Sequence, residues 1–299
     1  MYEATRRYYD DHADLVVELL GRSFNVALIS RAEDLATCIA EDFRYIVDNA
    51  GIADGQAVLE CGSGNGDFCR RLLERFPGLQ YRGIDLSARQ VAIARAANPG
   101  VEFREGRFEE LDCAPASFDR ALFLETIGYC VDLDGLLQRL HRALRPGGRV
   151  FVKNPGQKIT DYHDFLQHAE YFDPVRREYG YDDRSLGIIP DIDLVVRKFG
   201  LAGFALVHEE YPYFDEYWYN RAFYAAEVCR PVRRPDKTTP AFDFSRFDPG
   251  TSLSALGRCH PANVDYHRRM STGLGYPARN WLTGCAVLVF EKAPGASNG

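Results

Sequence analysis

The sequence predicts an α/β protein whose core is a doubly wound, parallel sheet. Three observations predict it. From residue 57 to about 155, short apolar runs alternate with amphipathic stretches, and the connections between them are short. The first run feeds a loop with glycines at alternate positions, which opens a helix. Taken in order, residues 1–50 read as helical, with Leu15, Val16, Leu19 and Leu20 at helical spacing. Residues 57–60 form a strand, 67–76 a helix, 81–85 a strand, 88–97 a helix, and 101–103 and 118–124 two further strands. Residues 133–144 form a helix ended by Arg145-Pro146-Gly147-Gly148, and 149–153 a fifth strand. Beyond 155 the pattern loosens. Residues 158–184 are polar and aromatic, 191–199 read as a helix and 204–208 as a strand. An irregular stretch rich in Pro, Gly and Arg, 230–280, precedes a last apolar strand, 282–290. An insertion before the last strand is expected to form a cap over the strand ends.

Composition narrows the function. With 299 residues, 46% apolar and 26% charged, the chain is an ordinary globular protein, which excludes disordered and fibrous classes. Its 36 basic and 43 acidic residues leave a net charge of −7, which argues against a nucleic-acid partner. No run approaches the roughly 20 apolar residues of a membrane helix, and the first residues lack a signal-peptide core. Eight scattered cysteines without a CxxC pair are expected to be reduced and mostly buried, consistent with a cytoplasmic protein. The seven histidines show no metal-ligand spacing; His12 and His208 are the two kept as catalytic candidates against an ordinary surface role.

The chemistry starts at Glu60-Cys61-Gly62-Ser63-Gly64-Asn65-Gly66-Asp67. No GK[ST] follows, so this is not a nucleoside-triphosphate loop, and the spacing is G-x-G-x-G rather than the G-x-G-x-x-G of dinucleotide folds. The segment resembles motif I of the class I S-adenosylmethionine (SAM)-dependent methyltransferases. Four further signatures fall in order: Asp85 at the end of the second strand, Glu105-Gly106-Arg107-Phe108, the strand at 118–122, and the turn at 144–148. The resemblance implies a Rossmann-like seven-stranded sheet with N-terminal helices and a helical or irregular cap. It divides the chain into an N-terminal helical lid (1–50), a SAM-binding core (51–210), an aromatic-rich substrate cap (211–280), and a last strand and tail (281–299). It implies SAM contacts from Glu60, Cys61, Gly62, Gly64, Gly66, Asp85, Leu86, Gln90, Arg107, Phe108 and Leu124, with Asp85 on the ribose. The chain has Arg107-Phe108 where the family often has a carboxylate for adenine. Phe108 either stacks on the base or sits in the core.

The end of the fourth strand points to the acceptor. Glu125 lies between Leu124 and Ile127, and a carboxylate in apolar surroundings is costly unless paired or used. A salt-bridged or exposed loop acid is the plainer alternative. Methylation of an alkene leaves a carbocation, for which a carboxylate is both counter-charge and base and aromatic faces add cation–π stabilisation. Eight aromatics lie between Tyr211 and Tyr224, following a strand that ends near Glu209. Residues 122–132, 84–90 and 215–221, with Tyr8-Tyr9-Asp10-Asp11-His12, resemble segments of sterol and prenyl-diphosphate C-methyltransferases. That resemblance implies Glu125 as base, an isoprenoid substrate, and Tyr8, Tyr9, Tyr129, Tyr217 and Trp218 in the pocket. A prenyl diphosphate would call for cations: Arg230, Arg233, Arg234 and Lys237, or Arg268, Arg269 and Arg279, each equally readable as solvated loops. It would also admit Mg²⁺, through carboxylates such as Asp10, Asp11 or Glu18, with no ligand set assigned. A small-molecule O- or N-methyltransferase, in which Glu125 orients a hydroxyl or amine, is the alternative enzyme; a SAM-binding regulator without catalysis is the third reading. The sequence leaves oligomeric state open.

Overall fold

In the computed structural model, the described residues are 2–3, 5–7, 9–10, 13–14, 35–155, 192–210, 230–233, 240–243 and 285–293. Those among 2–14 are helical. The chain then forms α1 (Leu35–Ala50), β1 (Ala57–Cys61), α2 (Asp67–Arg75), β2 (Gln80–Asp85), α3 (Ala88–Ala97), β3 (Glu102–Glu105), β4 (Phe118–Leu124), α4 (Leu133–Ala143) and β5 (Leu144–Pro155). There follow α5 (Ile192–Leu201), β6 (Phe204–Glu210), the strand pair β7 (Arg230–Arg233) and β8 (Pro240–Asp243), and β9 (Cys285–Lys292). Seven strands make one sheet in the order β3-β2-β1-β4-β5-β9-β6, and β7 and β8 pair antiparallel as a separate ribbon. The expected seven-stranded, doubly wound architecture is present.

The sheet is filled by strict alternation. Val58, Leu122, Phe151 and Val289 face one side, where they pack with Ile46 and Val47 of α1, Leu72 of α2 and Val91 of α3. Their neighbours Leu59, Phe123, Val152 and Leu288 face the other, with Leu136 and Leu140 of α4 and Phe199 of α5. Period-two alternation sends successive residues to opposite faces, so a strand buried on both reads as a continuous apolar run. The helices start where the side chains allow it. Ser87 caps α3 by accepting from the Gln90 N–H at 3.1 Å, and Asp132 caps α4 by accepting from Gly135 N–H at 2.9 Å.

The parallel pairing expected over 57–155 holds for β1 to β5, and β9, whose direction the sequence leaves open, runs antiparallel to both its neighbours, β5 and β6. It is inserted between them after a long excursion of the chain, which frees it from the short crossovers that impose parallel direction. The turn at 145–148 falls within β5: Leu144 already pairs with Phe118, and the register then jumps to Arg149 opposite Arg120. Gly147, at φ 72°, absorbs the excursion. Leu15, Val16, Leu19 and Leu20 lie outside the described residues, as do 158–184 and 211–229.

The rings of Phe199 and Phe290 stack at 3.8 Å between centroids and tie α5 to β9, both fully buried. Phe199→Ala is expected to cost about 3–5 kcal/mol, measured as a lowered urea midpoint with the slope unchanged.

Candidate functional site

The strand order reverses at β1: β2 and β3 lie to one side of it and β4 and β5 to the other. Loops leaving the C-terminal ends of β1 and β4 therefore part and leave a crevice, where open α/β sheets bind ligands. The glycine loop lines one wall. Gly62 and Ser63 donate their N–H groups to the Ile84 carbonyl at 2.7 and 3.1 Å, and Gly64 donates to Asp85 Oδ2 at 2.8 Å. Gly62, Gly64 and Gly66 all have left-handed φ (83°, 53° and 77°). A Cβ on Gly62 would lie 2.3 Å from Thr126 Cγ2, so this glycine is needed for the two loops to meet. The Thr126 hydroxyl donates to the Cys61 carbonyl at 2.5 Å, joining the β1 and β4 ends directly.

Asp85 stands at the tip of β2, its Oδ1 accepting from Ser87 N–H at 2.9 Å. Burial raises its carboxyl above the usual range, opposed by backbone donors of Ser87 and Gly64. Each oxygen keeps acceptor capacity for a further donor. Leu86 is half-buried and Leu124 buried. Gln90 is buried, and its Oε1 has no hydrogen-bond partner. The Asp85 carboxyl and an acceptor awaiting a donor form a set suited to a ligand that carries hydroxyls and positive charge, as SAM does. Phe108 lies in the core, edge-on to Phe123 with centroids 5.7 Å apart.

Arg107 meets the N-terminal segment. Its guanidinium lies 4.0 Å from the centre of the Tyr2 ring and donates to the Tyr2 hydroxyl at 3.2 Å. Tyr2 in turn donates to the buried Glu109, which also accepts from Val131 N–H at 2.7 Å. Farther along, Asp10 accepts from the Ser87 hydroxyl at 2.5 Å and the Arg89 N–H at 3.2 Å, and Asp14 pairs with the Arg89 side chain. Tyr9 and Tyr129 join hydroxyl to hydroxyl at 2.8 Å, their rings nearly perpendicular. The N-terminal segment is thus fastened at Glu109, Ser87 and Tyr129, around the crevice. Asp10 therefore serves the start of α3, and among the described residues no group of three or more His, Cys, Asp or Glu could hold a metal ion.

Glu125 follows the last residue of β4 at φ 62°. A non-glycine residue in that region costs on the order of 1–3 kcal/mol, a strain that persists where surroundings impose it. Here they do: its N–H donates to the Lys153 carbonyl at 2.5 Å, and its carboxylate lies 3.8 Å from the Lys153 ammonium. Glu125 is thus a salt-bridged acid, the plainer of its two sequence readings, at the C-terminal end of β4. Burial pushes the Tyr129 hydroxyl up to about 12, and the negative charges of Glu125 and Asp85 add to this.

Lys153, fully buried, also holds both oxygens of Asp42 on α1, at 3.0 and 3.2 Å. Sequence reading missed Lys153, Asp42, Tyr2, Glu109 and Thr126. The available signal was a lysine closing the apolar run Val150-Phe151-Val152. Cys61, Cys69 and Cys113 are buried free thiols and Cys130 a half-buried one, as expected. His208 lies on β6 beside Glu210, 3.3 Å away. Tyr8, Asp11, His12, Glu18, Tyr217, Trp218, Arg234, Lys237, Arg268, Arg269 and Arg279 lie outside the described residues, and Arg230 and Arg233 are described in backbone alone.

Glu60, buried on β1, accepts from the Tyr81 hydroxyl. Burial lifts its carboxyl from 4.5 to about 8, with the charges of Asp85 and Asp67 adding and the tyrosine bond opposing. A folded pKa above the unfolded one means that the native state binds the proton more tightly. That stabilisation is complete below the unfolded value and is lost as pH rises through the folded one. The stability of the wild-type protein is therefore expected to fall relative to Glu60→Gln between pH values near 4.5 and near 8, read from urea midpoints across that window.

Comparison with known proteins agrees with this geometry. Residues 58–148 match a family described as "Methyltransferase domain". Sterol 24-C-methyltransferases from Gibberella zeae and Saccharomyces cerevisiae are 30% and 29% identical over 173 and 168 residues. The matches take in 56% and 54% of this chain and 45% and 43% of those proteins, so it spans less than half the length of these relatives. Geranyl diphosphate C-methyltransferase from Streptomyces coelicolor, solved with Mg²⁺, geranyl diphosphate and S-adenosyl-L-homocysteine, shares the fold at a TM-score of 0.64. It is 13% identical, and the superposition covers 98% of each chain. Glycine loop, strand order and family match agree: residues 58–148 match a methyltransferase domain within a Rossmann-like fold, and the chain resembles the sterol and terpenoid C-methyltransferases.

Proposed function

We propose that the protein transfers a methyl group to an alkene carbon of an isoprenoid, with Glu125 as the base. The observation that carries this reading is Glu125 itself: an acid held in a strained conformation at the end of β4, beside the glycine loop and facing Tyr129. Strain of this kind clusters where chemistry needs a group aimed. The C-methyltransferase relatives support a carbon acceptor over an oxygen or nitrogen one.

SAM, when bound, supplies an electrophilic methyl group on sulfur. In this reading the glycine loop and Asp85 fix it in the crevice, and positioning of the alkene in line with the methyl provides much of the rate. The alkene π pair forms the new C–C bond as the S–CH₃ bond breaks, leaving a cation on the neighbouring carbon. The Glu125 carboxylate stabilises that cation and takes a proton from an adjacent carbon, whose C–H electrons restore a double bond. Tyr9 and Tyr129 present aromatic rings to the same space, and rings facing a desolvated cation contribute about 0.5–2 kcal/mol each. A prenyl diphosphate is the acceptor we favour, its anionic end held by arginines beyond the described residues and by Mg²⁺.

Glu125→Gln is expected to bind SAM with unchanged affinity by calorimetry and to lose turnover by about 10²–10⁴-fold. The assay is mass spectrometry with SAM, Mg²⁺ and a panel of prenyl diphosphates, plus a sterol bearing a side-chain alkene. A product heavier by one methylene identifies the acceptor. Wild-type turnover in the variant removes Glu125 as base, and transfer to a hydroxyl or amine acceptor alone overturns alkene methylation.

A further inference from the structure

The proposed reaction requires Glu125 to be ionised. Its charge and that of Asp85 both act on the Tyr129 hydroxyl, which Tyr9 bonds from the N-terminal segment. A neighbouring like charge raises a carboxylate's proton affinity, and an opposite charge lowers it.

We propose that Lys153 is the positioning residue for Glu125: it holds the acid by backbone and side chain together and keeps its carboxylate anionic. This rests on the reading of Glu125 given above and extends it to a residue outside the glycine loop and the pocket. The geometry is specific. One residue accepts from the Glu125 N–H through its carbonyl and faces the Glu125 carboxylate with its ammonium, at 2.5 and 3.8 Å. The two-point grip accounts for a glutamate lying where glycine is usual, at φ 62°. Alternation along β5 explains how the ammonium arrives there. Phe151 faces the α1 side of the sheet, so Lys153, two residues on, faces it too. There Asp42 of α1 receives it at 3.0 and 3.2 Å. A buried cation needs a partner to stay charged. Asp42 provides one, so the ammonium remains available to Glu125 through the catalytic cycle, when a proton passes to the glutamate. Among the described residues, Asp42 of α1 pairs with Lys153, and Tyr129, bonded by Tyr9, lies within the reach of the Glu125 and Asp85 charges.

The test reads the glutamate directly. In protein labelled with ¹³C at the glutamate carboxyl carbons, the Glu125 resonance is the one missing from Glu125→Gln. Lys153→Met alone removes the cation that Asp42 pairs with, so the charge is removed in the double variant Lys153→Met/Asp42→Asn, with folding checked by thermal melts. An opposite charge at this range lowers a carboxyl pKa by about 1–3 units, so the Glu125 titration midpoint is expected to rise by about that much in the double variant. An unchanged midpoint in the double variant overturns the proposal. The outcome is separable from the fate of Glu125 as base. Wild-type turnover in Glu125→Gln would overturn the function reading alone, and an unchanged midpoint beside an inactive Glu125→Gln would overturn the role of Lys153 alone.

Discussion

The site depends on the parting of the chain at β1. Because β2 and β3 lie to one side and β4 and β5 to the other, the loops after β1 and β4 leave the sheet in different directions. They are then drawn back together by one hydrogen bond, from the Thr126 hydroxyl to the Cys61 carbonyl. A side chain on Gly62 would collide with Thr126, so the meeting of the two loops fixes the residue types on both. Glu125 precedes Thr126 directly. Its aim is therefore set by the same contact that closes the floor of the crevice.

The electrostatics of this floor follow from burial. Glu60 and Glu109 are buried, and Asp85 and Glu125 are half-buried at the ends of β2 and β4. Each is handled differently. Glu60 gains a tyrosine hydroxyl and is pushed toward its neutral form, and Asp85 is held by backbone N–H groups. Glu109 is tied to Tyr2 and Val131, and Glu125 faces a lysine. Four carboxyl groups in one crevice thus differ in the kind of partner each has, and that difference in environment lets carboxylates of one site take different roles.

Most of the fold was legible because both-faces-buried strands and capped helices leave strong local patterns. Strands 118–124 and helix 88–97 coincide with the observed bounds of β4 and α3. The direction of β9 was not legible, since an apolar run says nothing of which way it enters a sheet. The glycine loop and Asp85 were legible through spacing. Lys153 was not, because its meaning depends on Asp42, 111 positions away, and on alternation across a strand whose start is displaced by a bulge.

The reversed strand β9 has a consequence for how the chain is made. It is synthesised after β5 and β6 and must slot between them. Until residues 285–292 are available, β5 and β6 each present an open edge, and unpaired edges are the surfaces on which chains associate wrongly. The same strand covers Lys153, whose register partner is Val287. The nascent chain thus keeps two open strand edges until the strand that joins them arrives.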